Sequence, residues 1–154
     1  MQISTIPMDA LAEVLNLQLE NGGMARLVVT GDSMYPTLRH RKDAVRLIPV
    51  TRELKKGDLI LYQRESGQYV LHRIVTKPKN GAFICCGDNQ WEREPMETTQ
   101  VVALVDGFTR GGKSVKESNF GYRLWIAVWV GFFPLRRPLL WLRRSLGRLR
   151  RVFR

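Results

Sequence analysis

The 154-residue sequence has only two cysteines, and they are adjacent, Cys85 and Cys86. Neighbouring residues of a strand point to opposite faces, so the pair excludes a disulfide scaffold and lacks zinc-site spacing. Two plain buried or half-buried thiols are expected instead. Long apolar runs are also missing. The longest, residues 124–135, has 12 residues, short of the roughly 20 that span a bilayer. No N-terminal stretch joins a basic start to an apolar run, so neither a signal peptide nor a leading anchor is expected. Residues 111–114, Gly-Gly-Lys-Ser, lack the leading glycine of a phosphate-binding loop, and no metal constellation is visible. Neither cofactor nor metal is expected.

Acidic residues are absent from the last 32 positions, where nine arginines and no lysine stand. The first 122 residues carry 16 basic and 14 acidic groups, so the net charge of +11 belongs mostly to the tail. Hydrophobic residues make up 44% and charged residues 25%, which argues against general disorder and for one folded domain.

Residues 8–20 predict an amphipathic helix through Leu11, Val14, Leu15 and Leu19, stopped by Gly22 and Gly23. Short β-rich runs follow at 27–30, 44–48, 59–63, 69–76, 82–86 and 101–106. Turn residues separate them, as at Gly57-Asp58, Asn80-Gly81 and Gly87-Asp88. The fold class is therefore mainly β, an antiparallel domain with a short N-terminal helix and C-terminal basic amphipathic helices. The expected organisation is an N-terminal helix over 1–24, a β-rich domain over 25–106, a Gly-rich linker over 107–121 and a basic amphipathic tail over 122–154. In the tail, Leu135, Leu139, Leu142, Leu146, Leu149 and Phe153 form one helical stripe, with arginines over most of the other face. That pattern suits an anionic membrane surface, with Trp125, Trp129 and Trp141 at the boundary. A coiled coil would need more heptads, and the leucine stripe makes nucleic acid the weaker partner.

The sharpest chemical signal is Gly31-Asp32-Ser33-Met34-Tyr35-Pro36-Thr37-Leu38, directly after an apolar strand. Gly31 lets the backbone turn, and Pro36 fixes the chain beyond Ser33. A serine on such a turn can present its hydroxyl to a cleft, with backbone N–H groups near an oxyanion. A helix-capping serine is the plainer reading of that turn. There are two histidines. His40, in a charged stretch, reads as a solvated loop residue. His72 lies in a strand pattern, with Val70 and Ile74 on its face. There an imidazole stays largely neutral and can accept a proton. A core histidine bonded to a backbone carbonyl is the alternative.

Together these pieces resemble the signal peptidase I family, in the branch that uses histidine in place of lysine. Residues 31–38 look like its nucleophile box, Gly57-Asp58-Leu59-Ile60-Leu61-Tyr62 like the strand box after it, and His72-Arg73-Ile74-Val75 like its base box. Gly87-Asp88-Asn89 resembles the box that follows. The four stand in the family's order across residues 25–106. The resemblance implies Ser33 as nucleophile, His72 as general base and Asp88 as the group that orients the imidazolium. It further implies supporting roles for Gly31, Met34, Asn89 and Glu94 around the oxyanion and the second acid. Many members carry serine where this chain has Gly31, so the oxyanion hole would rest mainly on backbone N–H groups. Glu94 replaces the family's second aspartate, and the family's usual N-terminal anchor has no counterpart. The Gly-Asp-Ser-Met turn is also similar to LexA-type repressors, but their lysine base is missing: no lysine occurs between Lys56 and Lys77.

The expected function is thus a membrane-associated serine endopeptidase that cleaves signal or leader peptides. Its expected partners are a precursor or leader peptide and an anionic membrane surface, with a dedicated partner protein possible in principle and nucleic acid disfavoured. The arginine tail favours the cytoplasmic face. The alternative is a non-catalytic peptide-binding or scaffolding module docked by that tail.

Overall fold

The computed structural model describes residues 17–19, 21–132 and 138. Within these residues the chain is mainly antiparallel β, with one helix near the C-terminal end. The strands are β1 (Ala25–Val28), β2 (Ala44–Ile48), β3 (Leu59–Gln63), β4 (Tyr69–Ile74), β5 (Ala82–Cys86), β6 (Glu94–Glu97), β7 (Val101–Arg110) and β8 (Lys113–Lys116). A 3-10 turn at Thr98–Gln100 joins β6 to β7, and helix α1 (Phe120–Gly131) follows β8. The spatial order is β1-β2-β7-β3-β4-β5-β6, and β8 pairs with β7.

β3 reads as an unbroken apolar run because both of its faces are covered. Leu59 and Leu61 enter one cluster with Val45, Leu47, Ala103 and Val105. Ile60 and Tyr62 enter the other with Ile74, Phe83, Cys85 and Leu104. Register shifts against β2 and β3 leave Asp106 and Val102 of the long β7 without direct partners. Such bulges bend a strand and increase its twist.

Residues 107–121 correct the expected linker. Residues 107–110 finish β7, and Gly111 and Gly112, both at positive φ, turn the chain tightly into β8. Two consecutive residues at positive φ are what a two-residue hairpin requires. The glycines therefore serve a turn and a helix entry. Asn119 caps α1 by accepting from the Tyr122 N–H at 3.0 Å. The first strand is Ala25–Val28, where 27–30 was expected, and β6 and β8 add strands that the expectation lacked.

Only residues 17–19 of the expected 8–20 helix are described, and they are helical. Gly23 N–H donates to the Gln18 carbonyl and Gly22 N–H to the Leu19 carbonyl, each at 2.9 Å, with Gly22 at φ +70°. This pair of bonds closes a helix on a glycine. Leu19 is buried in the first cluster. The leucine stripe of residues 135–153 lies outside the described residues, as does the rest of the N-terminal helix.

Candidate active site

Ser33 sits on the turn between β1 and β2, and Gly31 enters that turn at φ +88°. Several contacts hold the turn in place. Met34 is buried in the first cluster, so its side chain anchors the residue beside the serine. His40 is an exposed loop residue, as expected, and its Nδ1 also braces the turn by accepting from the Gly31 N–H at 2.7 Å. Asn89 donates twice, from its backbone to the Ser33 carbonyl at 2.7 Å and from Nδ2 to the Asp32 carbonyl at 3.1 Å. A Cβ on Gly87 would stand 2.6 Å from the Ser33 carbonyl oxygen. Glycine at 87 is thus a requirement of close backbone approach. Among the described residues, the N–H groups of Ser33 and Met34 have no protein acceptor, whereas that of Gly31 is taken by His40.

His72 stands on β4 opposite Ile60 of β3 and is buried, at 5% exposure. Its Nδ1 lies 3.1 Å from the Tyr62 hydroxyl. That hydroxyl donates its single proton to Glu94 Oε2 at 2.8 Å. Having no second proton, it can only accept from His72. The proton of the neutral imidazole therefore resides on Nδ1, and Nε2 keeps its lone pair. Arg64 holds Glu94 from the far side through Nε–Oε1 at 2.5 Å and Nη2–Oε2 at 2.7 Å. The Arg64 hydrogen bonds keep the Glu94 carboxyl below the usual carboxylate range. Burial pulls the His72 pKa down to about 4, against a smaller upward pull from Glu94. The imidazole is neutral at physiological pH. Burial first, then the bond to Glu94, raises Tyr62, which stays a phenol.

Ser33 and His72 line one open cleft of about 630 Å³ with Thr30, Met34, Tyr69 and Gln90. No direct Ser33–His72 hydrogen bond forms among the described residues; in unliganded sites such bonds are often long and tighten around substrate. One wall of the cleft is β4. Residues 69–72 of β4 pair with β3, while β5 reaches only Arg73 and Ile74. The cleft side of β4 thus offers a free strand edge.

Asp88, expected to orient His72, makes its hydrogen bonds to Arg73 and Thr37, and its charge adds a small upward pull on the His72 pKa. Arg73 and His72 are consecutive on β4 and point to opposite faces, and Asp88 belongs to the Arg73 face. Arg73 and Asp88 are both fully buried and form a two-pronged pair, Nε–Oδ1 at 2.9 Å and Nη2–Oδ2 at 2.7 Å. Thr37 Oγ1 donates to Asp88 Oδ2 at 2.5 Å, and Trp125 Nε1 of α1 donates to Thr37 Oγ1 at 3.2 Å. Arg73 Nη1 also reaches the Gly57 carbonyl at 2.9 Å and the Tyr122 hydroxyl at 3.2 Å. Asp88 therefore fastens the Ser33 turn, β4 and α1 together. The carboxylate beside the imidazole is Glu94, whose Oε2 lies 4.0 Å from His72 Nδ1.

Sequence reasoning missed Tyr62 as a site residue, and with it Arg64, Arg73 and Thr37. A β3–β4 hairpin closed over residues 64–68 sets Ile60 against His72 and Tyr62 against Val70. That register, extrapolated from the two strand patterns, would have put Tyr62 on the His72 face. No group of three or more metal-ligating side chains occurs among the described residues. No protein-family model matches the chain, and the search of curated proteins returned no match.

Proposed function

We propose that the protein is a serine endopeptidase with the signal-peptidase and LexA type of β domain, acting on signal or leader peptides at a membrane surface. The observation that carries this reading is the pairing of Ser33 with His72 in one cleft, with the Nδ1 proton committed to Tyr62. Nε2 takes the Ser33 hydroxyl proton as Oγ attacks the scissile carbonyl. The N–H groups of Ser33 and Met34 receive the oxyanion. The same proton then passes to the leaving amine, and water hydrolyses the ester with His72 again as base. Glu94, through Tyr62, holds the imidazole and stabilises its charged form in the transition state. An extended substrate pairs with the free edge of β4, which gives backbone register without reading sequence. The Arg-rich tail favours the cytoplasmic leaflet, and hence leader peptides or a membrane-bound partner as substrate.

The test is cleavage of a signal-peptide-bearing precursor in anionic liposomes by wild type, Ser33→Ala and His72→Ala. Both substitutions should abolish cleavage while peptide binding survives. Cleavage that persists in Ser33→Ala refutes the mechanism. Binding of the precursor by a folded wild type that never cleaves it would instead favour a peptide-binding module.

A further inference from the structure

Helix α1 is apolar on both sides, although only one side is covered. Tyr122, Trp129 and Val130 are buried, and Trp125 and Ile126 pack on the core clusters. The opposite side carries Phe120 at 81% exposure, Leu124 at 55%, Val128 at 45% and, at the C-cap, Phe132 at 57%. Four-residue spacing sets these along one continuous band. Gly121, Ala127 and Gly131, also exposed, lie within or beside it. Arg123 is the one charged residue of the helix. A helix facing water on that side would carry polar residues there.

We propose that this outer face of α1 is the surface by which the protein docks onto an anionic lipid bilayer. The charge pattern selects the occupant. The 22 residues after Phe132 contain eight arginines and no acid, so in the sequence the apolar band is followed by a segment attracted to anionic headgroups. A second copy of the chain is disfavoured, because joining two such faces would bring two of these cationic segments together. No described helix is long and apolar enough to cross a membrane. A 12-residue helix of this kind is instead suited to lie in the interface with its apolar side down and Arg123 reaching toward the headgroups. Docking would also orient the candidate site. The inner side of α1 touches the Ser33 turn through the Trp125–Thr37 bond, so that turn would be held against the membrane-bound helix. This inference rests on the peptidase reading only for the purpose of docking.

The test is flotation of the full chain with phosphatidylcholine vesicles, with and without phosphatidylglycerol. Wild type and the quadruple variant Phe120→Gln/Leu124→Gln/Val128→Gln/Phe132→Gln would be compared, each checked by thermal melting. Wild type should float only with the anionic vesicles. The variant should melt like wild type and lose on the order of a hundredfold in partitioning. Variant binding equal to wild type would overturn the proposal, since the arginines alone would then suffice. A concentration-dependent dimer of wild type that the variant abolishes would overturn it in favour of a second copy. If the quadruple variant misfolds, Leu124→Gln/Val128→Gln alone should still lower partitioning at least tenfold, and no loss would refute the surface. Ser33→Ala must float like wild type, so failure of the peptidase reading stays separable from failure of docking.

Discussion

Removing the Asp88 carboxylate separates the two roles open to that residue. In Asp88→Ala, the Arg73 guanidinium remains at 0% exposure with its Nε and Nη2 donors unmatched. Only the Gly57 carbonyl and the Tyr122 hydroxyl still meet it, both through Nη1. Breaking one side of a buried ion pair costs about 3–5 kcal/mol, and the lost acceptor of Thr37 adds about 1 kcal/mol. Against a domain stability of about 5–15 kcal/mol, the variant should lose about a quarter of its stability or more. Its Tm should fall by roughly 10–20 °C. Urea unfolding followed by tryptophan fluorescence measures the loss directly. The companion Arg73→Met/Asp88→Leu removes both charges together, and apolar replacement of a buried pair is often neutral or better. That double variant should recover most of the stability and keep cleavage within about tenfold of wild type. A loss below about 1 kcal/mol in Asp88→Ala would show that the pair does not hold the fold. A stable double variant that cleaves on the order of ten-thousandfold more slowly would return Asp88 to the orienting role.

Four further outcomes follow from the site. With the His72 pKa at about 4, the acid limb of kcat/KM should inflect near pH 4, not near the ordinary 6.5; an inflection at 6.5 would refute the burial of the base. The same shift links pH to folding: between about 4 and 6.5 the unfolded chain binds the extra proton, so stability falls as pH drops through that window, by about 3 kcal/mol in full. His72→Gln should flatten that slope in pH-dependent unfolding. Tyr62→Phe removes the acceptor for Nδ1–H and should lower kcat on the order of a hundredfold with KM little changed; unchanged kcat would dismiss the relay. Gly87→Ala forces a Cβ to 2.6 Å from the Ser33 carbonyl; it should cost about 1–3 kcal/mol and slow cleavage, and a variant as stable and active as wild type would show that the turn is not clamped there.

The parts of the fold legible in the sequence were those where burial writes a pattern. β2, β3 and β5 fell where their apolar runs predicted, and Val70 and Ile74 share a cluster with the strand face of His72, as strand alternation required. β6 escaped because Pro95 and two glutamates look like a loop; it pairs only with β5, at the end of the sheet order, where proline is tolerated. β8, Lys-Ser-Val-Lys, escaped because its side chains are mostly exposed and little apolar signal remains. Gly111-Gly112 was misjudged as a linker because composition cannot tell a flexible glycine pair from two residues fixed at positive φ. In the site, Ser33 and His72 stood out because their chemistry is rare in their contexts. The partners of His72 did not, because the resemblance favoured Asp88, while strand geometry sets the imidazole beside Glu94 through Tyr62.

That assignment has a structural logic in β4. In the proposed mechanism His72 changes charge and needs a partner that tolerates the change, and Glu94 is partly exposed and already balanced by Arg64. Protonating His72 there leaves no bare pair of charges in the core. Arg73 and Asp88, on the other side of the same strand, never need to change charge and are sealed from water. One strand thus places a titrating residue and a permanent ion pair back to back, the first beside the cleft and the second against the helix. Because Thr37 and Trp125 join the ion pair to the Ser33 turn and to α1, the separation of Ser33 and His72 should depend on the packing of α1. A disturbance of that helix should therefore reach cleavage before it reaches the pKa of His72, which burial, Glu94 and Arg64 set ahead of the smaller pull of Asp88.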